Sequence, residues 1–208
     1  MSTIDQLRLD LKNADYWNEP CGTHLARQTR TEGNYKDFDA AYFKKYPFLK
    51  RYLDKFNGRI LEIGTGYGTV ASYLAERCQY VGLDIADGPL KILIDRGLSW
   101  WRGSALDIPL AGPFDGVVSI GCLHHTGDIE GALVEIHRIL KPGGRSLVML
   151  YNEEADRLPV DKNTKGEIAP HIEYTNVDDL GDLFWGWASY RYDVQNGANK
   201  DIYIEAAK

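Results

Sequence analysis

The sequence predicts an α/β fold, on three observations. An apolar run of strand length, Ile60-Leu61-Glu62-Ile63, breaks at once into alternating glycines, Gly64-Thr65-Gly66-Tyr67-Gly68, and helix-compatible sequence follows from Thr69 to Arg77. A second strand, Gln79 to Asp84, ends in an acid one strand, helix, strand unit after Glu62. The alternation then continues to Tyr151, which is the pattern of a parallel sheet joined by right-handed crossovers. Glycine suits the first turn because a backbone that folds so sharply often needs positive φ, and because a Cβ would hold a ligand off the main chain. The amides that open the following helix then face that ligand.

Composition narrows the class. The 208 residues suffice for one α/β domain with a full core, and 44% hydrophobic with 26% charged residues is ordinary for a globular chain. The formal net charge of -6, with no run of Lys or Arg, argues against a nucleic-acid partner. No apolar segment is long enough to span a bilayer and the N-terminus lacks a signal-peptide layout, so a cytoplasmic location is expected. Cys21, Cys78 and Cys122 are widely spaced, with no CxxC pair and no His cluster; they read as reduced thiols, and no metal is expected.

In chain order, a cap at Ser2 or Thr3 opens a helix with Ile4, Leu7 and Leu11 at helical spacing, ending near Lys12. A loop from Asn13 to Asn34 follows, carrying Tyr16, Trp17, Cys21, His24 and Arg27. Asp37 to Phe56 reads as an amphipathic helix with an aromatic stripe, kinked or split at Pro47. After the glycine turn and second strand come a helix from Asp87 to Arg96 and a third strand, Leu98 to Trp101, in which the adjacent Trp100 and Trp101 face opposite sides, one of them toward the core. The fourth strand is Phe114 to Ile120, the next helix runs from Ile129 to Leu140, Lys141-Pro142-Gly143-Gly144 stops it, and the fifth strand is Ser146 to Tyr151. A long polar loop, a helix from Asn176 to Phe184 and two strands, Ala188 to Val194 and Asp201 to Ala206 joined at Asn196-Gly197, complete the chain.

Three motifs carry a family resemblance, strongest from Arg59 to Tyr151. Glu62 to Gly68 matches, position for position, the acid, one residue, GxGxG motif of the class I S-adenosylmethionine-dependent methyltransferases. The dinucleotide fingerprint GxGxxG of dehydrogenases would need glycine where Thr69 stands. Gly103 to Leu110 resembles the family's adenine-binding loop, with Ser104 where an Asp often receives the adenine amino group and Asp107 as an alternative acceptor. Ser119, Gly121 and Leu123-His124-His125 resemble the family pattern that follows the fourth strand.

The resemblance implies a three-layer αβα sandwich with a seven-stranded, mostly parallel sheet whose last strand is antiparallel. It further implies an N-terminal helical lid over residues 1–58 and a Rossmann-like methyltransferase domain over 59–208. The donor S-adenosylmethionine, leaving as S-adenosylhomocysteine, would meet Glu62, Gly64, Thr65, Gly66 and Gly68 in the turn and Ser104, Ala105 and Leu106 in the adenine loop. Gly121 and Leu123 would complete its seat. Asp84, at the carboxyl edge of the second strand, can accept hydrogen bonds from ribose hydroxyls, and Ile85 offers adenine an apolar face.

The implied reaction is in-line transfer of a methyl group to a small-molecule acceptor, and no domain for recognising a larger one is evident. A nucleic-acid amino-methyltransferase would carry Asp or Asn, Pro, Pro and an aromatic residue where Ser119-Ile120-Gly121-Cys122 stands. His125 is the candidate general base, since histidine titrates near neutral pH. Tyr16, Trp17, Tyr42, Tyr151, Asn152 and His125 are the candidates to line the acceptor pocket. His137 is expected on the solvent side of its helix. A non-catalytic S-adenosylmethionine-binding protein and a nicotinamide-dependent oxidoreductase are the alternatives, and the acceptor atom and the oligomeric state stay open.

Overall fold

A computed structural model describes residues 1–18, 35–156, 168–196 and 199–208. Cys21, His24 and Arg27, the middle of the long polar loop and Gly197 lie outside the described residues. Helix α1 (Thr3–Trp17) is capped by the Ser2 hydroxyl, which accepts from the Asp5 amide. α2 (Tyr35–Lys45) and α3 (Leu49–Leu53) divide the expected aromatic helix on either side of Pro47. Then follow β1 (Arg59–Ile63), α4 (Thr69–Ala75), β2 (Gln79–Asp84), α5 (Asp87–Asp95), β3 (Trp100–Arg102) and β4 (Phe114–Ile120). A 3-10 turn (Leu123–His125), α6 (Ile129–Ile139), β5 (Leu140–Leu150), a second 3-10 turn (Val177–Asp179), α7 (Leu180–Leu183), β6 (Ser189–Val194) and β7 (Ile202–Ala207) complete it.

The seven strands form one sheet in the order β3-β2-β1-β4-β5-β7-β6. β1 to β5 are parallel neighbours, and β7 enters antiparallel between β5 and β6. The expected architecture is therefore the one observed. Alternation along the strands sorts the core onto two faces, because successive side chains point to opposite sides. Leu61, Ile63, Val117, Val148 and Ile204 pack under α6 and α7. Ile60, Val118, Leu147 and Tyr203 pack with Tyr52 and Leu53 of α3 and with α4.

Three elements differ from the sequence reading. α1 continues to Trp17, through residues expected to be loop, and its Ile4, Leu7 and Leu11 point outward, each at least 60% exposed. Asn13, Ala14 and Tyr16 are buried, and Gln6, Asp10, Asn13 and Trp17 recur at the same helical spacing on the inward side, so the Ile4, Leu7, Leu11 stripe is not the buried one. β5 starts at Leu140, because Leu140 pairs with Phe114 before the ladder slips and resumes at Arg145 opposite Gly116. Trp100 and Trp101 are both exposed, since the three-residue β3 is an edge strand without a covering layer at that point.

One buried ion pair fastens α2 to α4 and to the end of α5. The Arg96 guanidinium grips both oxygens of Asp39 on α2 at 2.8 and 3.0 Å, donates to Ser72 of α4, and lies over the Tyr35 ring. Only 6% of the Arg96 side chain is exposed, so the loss of its partner would leave a charge in the interior. Asp39→Ala is predicted to lower stability by about 3 kcal/mol in denaturant unfolding; a change below about 0.5 kcal/mol would contradict this role.

Candidate active site

The glycine turn takes the backbone shape that its composition demands. Gly64, Gly66 and Gly68 all have positive φ, at 75°, 49° and 70°. A Cβ on Gly64 would fall 2.4 Å from Cβ of Cys122, so no larger residue fits between β1 and the loop after β4. Above Gly66 nothing lies within 4 Å of an added Cβ, which leaves the backbone there open to a ligand.

Asp84, at the end of β2, faces this turn. Its carboxylate accepts from the Thr65 amide at 2.8 Å and the Ala86 amide at 3.0 Å, and the Gly66 backbone is also directed at it. Burial pushes its pKa up, and those amides pull against that shift. Glu62, behind the turn, accepts from the Tyr80 hydroxyl at 2.6 Å. Burial raises Glu62 to about 8, an effect that the Tyr80 bond only partly offsets.

Two cavities flank the turn. The first, of about 160 Å³, joins Gly64, Gly66, Asp84 and Ile85 to Gly103, Ser104 and Ala105 of the loop after β3. Gly121, Cys122, His125 and Thr126 form its floor, and Asp10, Asn13 and Trp17 of α1 close it. A cavity of this size admits one flat ring. The second, of about 190 Å³, is walled by Phe38, Tyr42, Tyr46 and Tyr67 and reaches Glu62 and Thr65, with Lys45 at its lining. Both cavities share Gly64, Gly66 and Ile120.

His125 is held in one orientation. Its Nδ1 lies 2.6 Å from the carbonyl of His171, and a carbonyl can only accept, so Nδ1 carries the proton and the lone pair of the neutral ring is on Nε2. Trp17 packs against the ring at 4.8 Å. His124 turns the other way, fully buried and stacked on Tyr151 at 3.8 Å, and burial together with His125 and His171 lowers its pKa well below the usual value, which keeps it neutral.

The structure thus gathers Trp17, Gly64, Gly66, Asp84, Ile85, Ser104, Ala105, Gly121 and His125 in one cavity and Tyr42, Glu62 and Thr65 in the other. Other candidates lie outside both linings. Tyr16 is buried edge-on to Trp17, Gly68 caps α4, Leu123 is core, and the Leu106 amide donates to Ser104. Tyr151 sits behind His124, while Asn152 is buried and accepts from the Glu154 amide. Asp107 lines neither cavity. His137 is half-buried beside Trp187 rather than turned to solvent. Asp10, Asn13, Phe38, Tyr46 and Tyr67 were not among the candidate site residues, Phe38 and Tyr46 being read only as part of the aromatic stripe, although helical spacing to Trp17 or Tyr42 was a usable signal for all but Tyr67.

Comparison with known proteins agrees with this geometry. Residues 61–148 match the family described as methyltransferase domain, from β1 through most of β5. The matched residues form a methyltransferase domain of the class I, S-adenosylmethionine-dependent kind. Relatives include the demethylmenaquinone methyltransferase of Thermus thermophilus, 37% identical over 67% of this chain and 66% of its own. Another is the tRNA (carboxymethyluridine(34)-5-O)-methyltransferase of Arabidopsis thaliana, 30% identical over 57% of this chain and 31% of its own. The chain spans about a third to two thirds of the length of these curated relatives.

Among solved structures, magnesium protoporphyrin IX methyltransferase from Synechocystis PCC 6803 superposes with a TM-score of 0.67, covering 96% of this chain and 97% of its own at 14% identity. The family's donor is S-adenosylmethionine, and the match disfavours the nicotinamide alternative. Among the described residues no group of three or more His, Cys, Asp or Glu is arranged to hold a metal, and no helix is long and apolar enough to cross a membrane.

The raised pKa of Glu62 has a thermodynamic consequence. Between pH 4.5 and about 8 the folded protein keeps a proton that the unfolded chain has released, so this group makes stability fall as pH rises through that window. Glu62→Gln is predicted to flatten the fall in unfolding free energy between pH 5 and pH 8; an unchanged slope would contradict the assignment.

Proposed function

We propose that the chain transfers a methyl group from S-adenosylmethionine to a small-molecule acceptor. The observation that carries this reading is the first cavity, where the open backbone at Gly66, the acid Asp84 and the base-bearing turn at His125 share one wall. When bound, the donor supplies a methyl group already activated on sulfonium sulfur. Asp84 would accept from ribose hydroxyls, for which the carboxylate has lone pairs beyond those facing the turn amides. Ile85 and Ala105 would flank the adenine. Glu62, Thr65 and Gly66 would meet the methionine part. Thr65, Gly68, Leu106, Gly121 and Leu123 support the reading chiefly by setting the shape of the turn and loops.

The residues then have two tasks. The first is to hold the acceptor in line and keep water out, and placement of this kind can supply roughly 7 to 11 kcal/mol of the barrier. Of residues 1–58, α1 and α2 act as the lid while α3 packs in the core; Trp17 lies over His125, and the rings of Phe38, Tyr42 and Tyr46, with Tyr67 of the glycine turn, form an apolar wall that suits a flat or apolar acceptor. The second is to remove a proton where the acceptor must lose one. His125, with its lone pair on Nε2, would take it, a contribution of roughly 10² to 10⁴-fold. Tyr16 supports Trp17, and Tyr151 and Asn152 support the His124 side of the turn.

A small acceptor is favoured over nucleic acid by the net charge of -6. The free thiols Cys78 and Cys122, the latter pushed up to about 12 by burial, suit a reducing cytoplasm.

Calorimetric titration with S-adenosylhomocysteine tests the donor assignment, with nicotinamide dinucleotide as the control expected not to bind. Asp84→Ala is predicted to weaken S-adenosylhomocysteine by at least about tenfold, through loss of charge-assisted hydrogen bonds. His125→Ala is predicted to keep that affinity within about twofold while lowering turnover roughly 10² to 10⁴-fold. Equal loss of donor binding in both variants would contradict the division of roles.

A further inference from the structure

We infer that the adenine amino group is read by Asn13, a residue of the lid helix rather than of the Rossmann-like domain. This rests on the reading of the first cavity as the donor seat. Asn13 is a wall of that cavity, is 5% exposed, and its Oδ1 is buried without a hydrogen-bond partner among the described residues. A buried amide oxygen left in that state is costly, and a donor from a ligand removes the cost.

The orientation of the amide is fixed by its other end. Nδ2 donates to the carbonyl of His125 at 2.8 Å, and because that carbonyl can only accept, the group beside it must be NH2 and the group left over must be the oxygen. With the His125 bond kept, the remaining end of the Asn13 amide is an acceptor, on a residue that lines the cavity. The exocyclic N6 of adenine is a donor of the matching kind.

Among the described side chains, the other acceptors near this position compete less well. Ser104 stands at the position for adenine recognition, and its hydroxyl oxygen, which already accepts from the Leu106 amide at 3.2 Å, keeps one lone pair and is the weaker kind of neutral acceptor. Asp107 is exposed and outside the lining. Asp10, one turn before Asn13, is only half-buried, and one of its oxygens accepts from Gln6.

The helix is anchored at both ends of the cavity. Gln6 donates to the Thr126 carbonyl at 2.8 Å, and Asn18 accepts from the Asp87 amide at 2.7 Å and the Gly88 amide at 3.2 Å. Gly88 and Gly127 make the approach feasible: a Cβ on Gly88 would lie 2.5 Å from the Asn18 carbonyl, and one on Gly127 would lie 2.6 Å from the Leu9 side chain. Reading of adenine and closure of the lid are in this way one event.

The test is calorimetric titration of the wild-type protein and Asn13→Ala with S-adenosylhomocysteine and with S-inosylhomocysteine, in which a carbonyl replaces the N6 amino group. The wild-type protein is expected to prefer the adenosyl ligand by roughly tenfold or more, and Asn13→Ala to lose about tenfold for that ligand while holding the inosyl ligand within about twofold.

A merely structural Asn13, acting through the His125 carbonyl, would weaken both ligands alike and leave their ratio unchanged, which would overturn the inference. Equal binding of the two ligands by the wild-type protein would overturn it without recourse to the variant. Failure of the wild-type protein to bind S-adenosylhomocysteine at all would overturn the donor-seat reading, whereas an unchanged ratio would overturn the Asn13 assignment alone.

Discussion

The carboxylate of Asp84 is the constraint on which the site depends. It sits at the end of β2 with 8% exposure, a place where a charge is unfavourable unless dipoles are directed at it. The amides of Thr65, Gly66 and Ala86 supply those dipoles, and in doing so they clamp the glycine turn after β1 to the start of α5. Parallel pairing of β1 with β2 brings the two strand ends level, with Ile63 opposite Leu83, so the acid meets the turn without strain on either strand. The same positive-φ glycines that let the turn close also leave open backbone at Gly66. Structural and ligand-facing roles thus fall on one short segment.

The second organising contact is the seat of α1 on the loop after β4. Four carbonyl or amide groups of that loop and of the α5 start are met by side chains of Gln6, Asn13 and Asn18. To these polar contacts the helix adds the buried Ala14 and Tyr16 and the Trp17 ring on His125. The ion pair of Arg96 with Asp39 is of another kind, buried and charged, and it fixes α2 beside the second cavity. One wall of the site is therefore fastened by a buried ion pair and the other by hydrogen bonds and packing.

Most of the fold was legible because its signals are local. The strand, glycine turn and helix at Ile60 to Ala75, the acid at Asp84 and the 7-6 exchange at the end of the sheet follow from periodicity, turn chemistry and the family's topology. What was not legible depended on tertiary context. The sequence ends α1 at Lys12 because Ile4, Leu7 and Leu11 define an apolar stripe, whereas the inward side sets half-buried Gln6, Asp10 and Trp17 beside buried Asn13, Ala14 and Tyr16; a largely polar seam has no hydrophobic period to announce it. Trp100 was expected to compete with Trp101 for the core, but an edge strand of three residues offers neither of them a covering layer. Within the site, the motif positions from Gly64 to His125 could be read one by one, while the convergence of α1 on them could not, because hydrogen bonds to backbone carbonyls leave no mark on the sequence that receives them.

The central claim is that one donor seat lies between the glycine turn, Asp84 and α1, with the acceptor side against the aromatic wall of α2. A crystal structure of the protein with S-adenosylhomocysteine tests it most directly. The account predicts ribose hydroxyls on Asp84, adenine between Ile85 and Ala105 under α1, and the methionine part directed toward Glu62 and Tyr42. Adenine found instead among Phe38, Tyr42 and Tyr46, or a bound ligand that leaves Asp84 untouched, would contradict it.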